Sequence, residues 1–122
     1  MSKRILIADD EPNIVLSLEF LLQNAGYEVA TATDGEAALT AIADQRPDLV
    51  LLDVMMPRKD GYEVCQILRS DEAYRDLKIV MLTAKGRDVE QEKGLSLGAD
   101  DYITKPFATQ DVVQRVRHLL EA

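Results

Sequence analysis

The sequence predicts an α/β domain built on a doubly wound, five-stranded parallel sheet with helices on both faces. Three observations carry that prediction. Short aliphatic runs alternate five times with helical stretches. The central run, Leu49-Val50-Leu51-Leu52, is too uniform to alternate and reads as a strand covered on both faces. The 122 residues, 47% apolar and 30% charged, suit one domain and contain no repeat, low-complexity tract or linker.

Each element has its own signal. Arg4-Ile5-Leu6-Ile7-Ala8 is a buried strand that runs into Asp9-Asp10-Glu11. Pro12 suits a first helical turn, and acidic residues suit the positive end of a helix. Ile14, Leu18, Leu21, Leu22 and Ala25 form its core-facing stripe, broadened by Val15 and Phe20, with Gly26 placed to cap. Tyr27-Glu28-Val29-Ala30-Thr31-Ala32 alternates as a strand near an edge does. Asp34-Gly35 opens a second helix with Ala37, Ala38, Leu39, Ile42 and Ala43 inward, and Pro47-Asp48 leads into the strand Leu49–Asp53. Pro57 closes that strand because it cannot donate to a ladder. Gly61 begins a third helix with Val64, Ile67 and Leu68 inward; Cys65, beside them, reads as packing. Leu77–Leu82 is a fourth strand, ending on Thr83-Ala84. The polar stretch Lys85–Lys93 supports only a weak fourth helix, the expected mobile region, which Gly98 ends. Tyr102-Ile103-Thr104 is a fifth strand, and Thr109 or Gln110 starts a last helix with Val112, Val113, Val116, Leu119 and Leu120 inward.

Bulk properties narrow the function. A net charge of −8 disfavours nucleic acid and anionic membrane, and suits a cation or a basic partner. The single cysteine excludes an internal disulfide and fits a reducing compartment. No apolar run has the length of a spanning helix, and Met1-Ser2-Lys3-Arg4 leads into a strand rather than a signal sequence. A cytoplasmic protein is expected.

Asp9-Asp10, Asp53, Thr83 and Lys105 each follow a strand: the first, third, fourth and fifth. In a parallel sheet they gather at its carboxyl edge, where such sheets bind ligands. Three clustered carboxylates repel one another unless a cation or proton intervenes, and oxygen-only ligands point to Mg²⁺. A hydroxyl and an ammonium across the site suit a phosphate. A carboxylate beside Mg²⁺ can attack a phosphoryl group and form an acyl phosphate, with catalysis resting on positioning and charge neutralisation. Each residue alone has a plainer reading: Asp9-Asp10 as helix caps, Asp53 or Thr83 as turn residues, Lys105 as a solvated lysine. Coincidence at four strand ends favours a site.

Two other functions fit the topology. A Mg²⁺-dependent phosphatase with an aspartyl nucleophile commonly carries a general acid two residues later, and Met55 stands there. A flavin or nucleotide module needs a Gly- or Ser/Thr-rich phosphate loop after the first strand, whereas Ala8-Asp9-Asp10-Glu11 is acidic.

Ile7-Ala8-Asp9-Asp10-Glu11, Leu52-Asp53-Val54-Met55-Met56-Pro57, Gly61, Leu82-Thr83-Ala84 and the run Gly98–Phe107 occur in one order. Together they resemble the receiver domain of bacterial two-component response regulators, across essentially the whole chain, and most closely the subfamily with a DNA-binding winged-helix output. The resemblance implies a flavodoxin-like (βα)5 fold with strand order 2-1-3-4-5. It implies that Asp53 takes a phosphoryl group from a sensor histidine kinase or a histidine phosphotransfer protein, a switch rather than a turnover enzyme. It further implies direct Mg²⁺ ligation by Asp10, Asp53 and the backbone carbonyl of Met55, with Asp9 acting through water. Thr83 resembles the switch hydroxyl, Tyr102 the switch aromatic and Lys105 the phosphate-binding lysine, with Lys105-Pro106 a cis peptide. Met55 and Lys85 hold the positions that tune autodephosphorylation; Met55 cannot hydrogen-bond an attacking water, so a phosphorylated state lasting minutes or longer is expected. A homodimer through the fourth helix, fifth strand and fifth helix is implied on phosphorylation, with Asp101 and Arg115 available for a cross-subunit pair. Gln91 stands where a basic residue is usual, and the chain stops at Ala122 where another would lie. Residues 1–122 are expected to form one receiver domain with no output domain and no direct contact to nucleic acid.

Overall fold

Alternation along the strands sorts the apolar residues onto two faces of one sheet. The computed structural model describes residues 3–84 and 88–121, with the side chains of 88–91 left aside. Its elements are β1 (Arg4–Ala8), α1 (Pro12–Asn24), β2 (Glu28–Ala32), α2 (Gly35–Asp44), β3 (Leu49–Asp53), α3 (Gly61–Arg69), β4 (Lys78–Ala84), α4 (Asp88–Ser96), β5 (Asp101–Lys105) and α5 (Thr109–Glu121). All strand pairs are parallel, in the order β2-β1-β3-β4-β5, as the resemblance implies. β2, expected near an edge, is an edge strand and is only partly buried. A 3₁₀ turn at Glu72–Tyr74 lies between α3 and β4 and carries no signal noted in the sequence.

Ile5, Ile7, Leu49, Leu51, Val80, Leu82 and Ile103 pack with α1 and α5 through Leu18, Leu22, Val112 and Val116. Leu6, Ala8, Val50, Leu52, Ile79 and Met81 pack with Ala38 and Ile42 of α2 and with Val64, Cys65 and Leu68 of α3. Leu49–Leu52 is buried throughout, as a strand covered on both faces must be.

Helix starts follow their signals. Asp34 Oδ1 accepts from Ala37 N at 2.8 Å, and Asp60 with Glu63 forms a capping box at the start of α3. Gly26, at φ +98°, supplies the left-handed residue that ends α1.

Some inward assignments are corrected. Phe20 is 70% exposed and Ile67 44% exposed, while Cys65 is fully buried. At about 100° per residue, Phe20 lies on the far side of α1 from Leu18 and Leu22. In α3 the buried arc centres on Val64, Cys65 and Leu68, which leaves Ile67 roughly 100° from its middle. Ala43 is exposed, and Ala41 packs in its place. The sequence expectations at Lys85, the Gln91 side chain and Ala122 lie outside the described residues. Among the described residues no helix is long and apolar enough to cross a membrane.

Candidate functional site

Four strand ends deliver the predicted residues to one edge. Asp9 follows β1, Asp53 ends β3, Thr83 is the last residue but one of β4, and Lys105 ends β5. The parallel register sets Asp53 beside Leu82 and Lys105 beside Ala84, so β4 and β5 end together, two residues beyond the end of β3. Asp9, Asp53 and Thr83 are 0, 5 and 1% exposed, the buried polar residues among those described. Asp10, next to Asp9, is exposed. One carboxylate oxygen from each of Asp9, Asp10 and Asp53 lies within 4.8 Å of the others. At the start of α1 the Glu11 side chain makes no cap, while Asp9 Oδ1 accepts Glu11 N at 2.9 Å.

Lys105 joins the group. Its Nζ lies 2.8 Å from Asp9 Oδ2, an ion-pair contact without hydrogen-bond alignment, and 3.3 Å from Asp53 Oδ1. Its third carboxylate, absent from the sequence-based site, is Glu11: Nζ donates to Glu11 Oε1 at 2.9 Å. Burial lowers the lysine's pKa, but the close contacts with Asp9 and Glu11 and the charge of Asp53 more than offset that and raise it. Asp53 moves the opposite way for a carboxylate. Burial, then the charge of Asp9, pushes it up to about 7, against the pull of Lys105 and a 3.4 Å hydrogen bond from Met55 N. Both of these contacts are made by Oδ1.

Two further features shape the site. Thr83 Oγ1 is buried with no hydrogen-bond partner. The backbone of Gly61 abuts the Asp53 carbonyl so closely that a Cβ there would overlap it, and Gly61 N donates to Val54 O at 2.9 Å. Glycine is therefore required where α3 starts against β3.

Tyr102 is not gathered with the charged residues. It sits half-buried on β5, its ring packed towards the α2–α4 face and its centroid 6.0 Å from the Arg115 guanidinium carbon. Arg115 donates to Asp101 Oδ1 at 2.8 Å within the same chain, so both members of the expected cross-subunit pair already have each other. Met55 is largely exposed, and the Lys105–Pro106 peptide is cis.

An acidic pocket beside a buried hydroxyl and a lysine suits Mg²⁺ and a phosphoryl group: the ligands are hard oxygens, and Asp9 Oδ2 and Thr83 Oγ1 lack hydrogen bonds of their own. The model for the response regulator receiver domain matches residues 5–117. The chain belongs to that family. It is a signalling domain of two-component systems, not a classical turnover enzyme. It is 48% identical over 120 residues to the alkaline phosphatase synthesis transcriptional regulatory protein PhoP of Bacillus subtilis, covering 98% of this chain and 49% of that protein. It is 52% identical over 118 residues to the probable transcriptional regulator ycf27 of Cyanophora paradoxa, covering 97% and 48%. The receiver thus spans about half the length of these curated relatives. Among solved structures, a response regulator from Chloroflexus aurantiacus matches with a TM-score of 0.97 at 39% identity over the whole of both chains. The chemotaxis response regulator CheY4 of Vibrio cholerae matches with a TM-score of 0.92 at 32% identity, covering 98% of this chain and all of that one.

Proposed function

We propose that Asp53 accepts a phosphoryl group from a phosphohistidine of a sensor histidine kinase or histidine phosphotransfer protein in the cytoplasm. The observation that carries this reading is a buried carboxylate held between Asp9 and Lys105, beside a buried hydroxyl without a hydrogen-bond partner. Asp10, Asp53 and the Met55 carbonyl would ligate Mg²⁺, with Asp9 acting through water; bound there, the cation neutralises the clustered charge and the phosphoryl oxygens. The Asp53 carboxylate attacks phosphorus, the P–N bond breaks, and the imidazole leaves. Lys105 and the unpartnered Thr83 hydroxyl then bind phosphoryl oxygens.

The same movement links the site to its output. Thr83 turning to the phosphoryl group opens room for Tyr102 to turn inward, which repacks the α4–β5–α5 surface. A homodimer through that surface requires Arg115 to exchange Asp101 of its own chain for Asp101 of a second copy. Leu16, exposed on α1 and lining a cleft with Asp9 and Asp10, offers the donor protein an apolar foothold, which the exposed Phe20 one turn further along α1 extends. The switched surface acts on a transcriptional output of the kind named for the relatives, while the receiver itself, at −8, makes no nucleic-acid contact.

Intact mass after incubation with Mg²⁺ and acetyl phosphate tests this reading. One phosphoryl adduct is expected, dependent on Mg²⁺, absent in Asp53→Asn and persisting for minutes or longer because Met55 cannot orient water. An adduct that survives in the variant, or none in the wild type, overturns the assignment; a half-life of seconds overturns the role of Met55.

A further inference from the structure

Lys105 has three N–H donors and three carboxylates around them: Asp9 at 2.8 Å, Glu11 at 2.9 Å and Asp53 at 3.3 Å. Of these three contacts only that to Glu11 is aligned as a hydrogen bond, so an arriving phosphoryl oxygen competes with Glu11 for the donor it holds. Asp9 and Asp53 are buried, and an ammonium that abandoned either would strand a charge away from water. The Glu11 side chain is 59% exposed, so water replaces the lysine there readily. Glu11 is also held in place. Its backbone N–H donates to Asp9 Oδ1 at 2.9 Å, which aims the residue after the acidic pair across the site to the end of β5.

We propose that Glu11 is a positioning residue that keeps Lys105 over the site in the resting chain and competes with the phosphoryl group for its ammonium. This rests on the assignment of Asp53 as phosphoacceptor, which gives Glu11 no part. In the resting state Glu11 holds a donor of Lys105 in a hydrogen bond; in the phosphorylated state that donor passes to a phosphoryl oxygen and the Glu11 carboxylate returns to water. Affinity for the phosphoryl group is thereby set below what Asp53, Thr83 and Lys105 would give without a rival.

The test uses the whole chain with Glu11→Gln, which removes the rival charge, and Glu11→Asp, which keeps the charge but is one methylene too short for the 2.9 Å contact. Binding of the unreactive phosphoryl mimic beryllofluoride is measured by calorimetry at saturating Mg²⁺. Both variants are expected to bind about two- to five-fold more tightly, in keeping with an exposed ion pair, and the gain is expected to shrink at high salt. The rate of adduct formation at low acetyl phosphate should rise in parallel. A purely structural role would not raise affinity. Unchanged or weaker binding in both variants, with the wild-type Asp53 adduct intact, overturns the placeholder and leaves the phosphoacceptor standing. Tighter binding in Glu11→Gln alone assigns the effect to net charge and also overturns it. Loss of the wild-type adduct overturns the phosphoacceptor itself.

Discussion

The two edges of the sheet use the same side chain to opposite ends. Where the strands begin, Asp48 Oδ2 accepts Arg4 N at 2.8 Å, and Asp100 Oδ2 accepts both Ile79 N at 2.8 Å and Arg69 Nη2 at 2.9 Å. Arg69 then donates to the carbonyls of Gly98 at 2.8 Å and Tyr74 at 2.9 Å, stapling α3 to the 3₁₀ turn and to the entry of β5. Where the strands end, Asp9 and Asp53 share one ammonium, and Thr83 Oγ1 has no partner. A buried polar group left unpaired costs about 1–3 kcal/mol, so its persistence marks a place that something else is meant to fill. One edge is closed by its aspartates; the other is held open by them.

Replacing one aspartate at the open edge tests this most strongly. Asp53 titrates near 7 in the fold, against 3.8 for an ordinary aspartate. Between those values the native state binds more protons than the unfolded one, so stability falls as pH rises through that window and the full cost is present above about pH 7. Asp53→Asn removes the charge. Without metal, the variant should be more stable than wild type at pH 8, by up to about 4 kcal/mol at 1.36 kcal/mol per pKa unit, with the gap closing towards pH 4. Urea unfolding in chelator at the two pH values reads this directly. A variant less stable at pH 8 would mean that Asp53 is held as tightly as Asp48.

The closed edge should respond with the opposite sign. Arg69→Ala removes the staple and leaves the Gly98 and Tyr74 carbonyls and the Asp100 carboxylate without it. A loss of about 2–3 kcal/mol is expected, since hydrogen bonds involving a charged group contribute about 1.5–3 kcal/mol and exposure discounts several of them. Adduct formation on Asp53 should stay within about twofold, a strand's length away. A large loss of phosphorylation at unchanged stability would erase the distinction between the edges.

How legible each edge was in the sequence follows from the same contrast. Asp9, Asp10, Asp53, Thr83 and Lys105 announce themselves because each stands just after an aliphatic run, and a parallel sheet turns that shared position into proximity. The Arg69 staple was not legible. Three of its acceptors are backbone carbonyls, which any residue supplies, and Gly98 lies 29 positions away. Glu11 was read only as part of a motif because its partner lies 94 positions away, and whether a glutamate reaches depends on the lateral offset of β5 from β1. Phe20 and Ile67 were misplaced because helical spacing gives the width of an apolar arc but not its centre. Tyr102 alternates correctly along β5, yet nothing in that alternation says that its ring rests near Arg115 instead of the charged cluster.

The smallest expected effect concerns how the open edge reaches α4. Among the described residues of α4 only Gly94 is buried, its Cα side set against Met81, whereas α3 buries Gly61, Val64, Cys65 and Leu68. A side-chain link between the two helices is Lys93, whose Nζ lies 4.4 Å from the centre of the Tyr62 ring. Tyr62 directly follows Gly61, the residue whose backbone abuts Asp53, so this contact joins the helix that starts against Asp53 to α4, whose described side chains at 92, 93, 95 and 96 are exposed. An exposed cation–π pair contributes about 0.5–1 kcal/mol. Lys93→Ala should therefore leave global unfolding within about 0.5 kcal/mol while lowering hydrogen-exchange protection of α4 amides about two- to five-fold, with β3 amides unchanged. Equal loss in both elements would show that α4 opens only with the whole sheet, and the open edge would then need another route to the α4–β5–α5 surface.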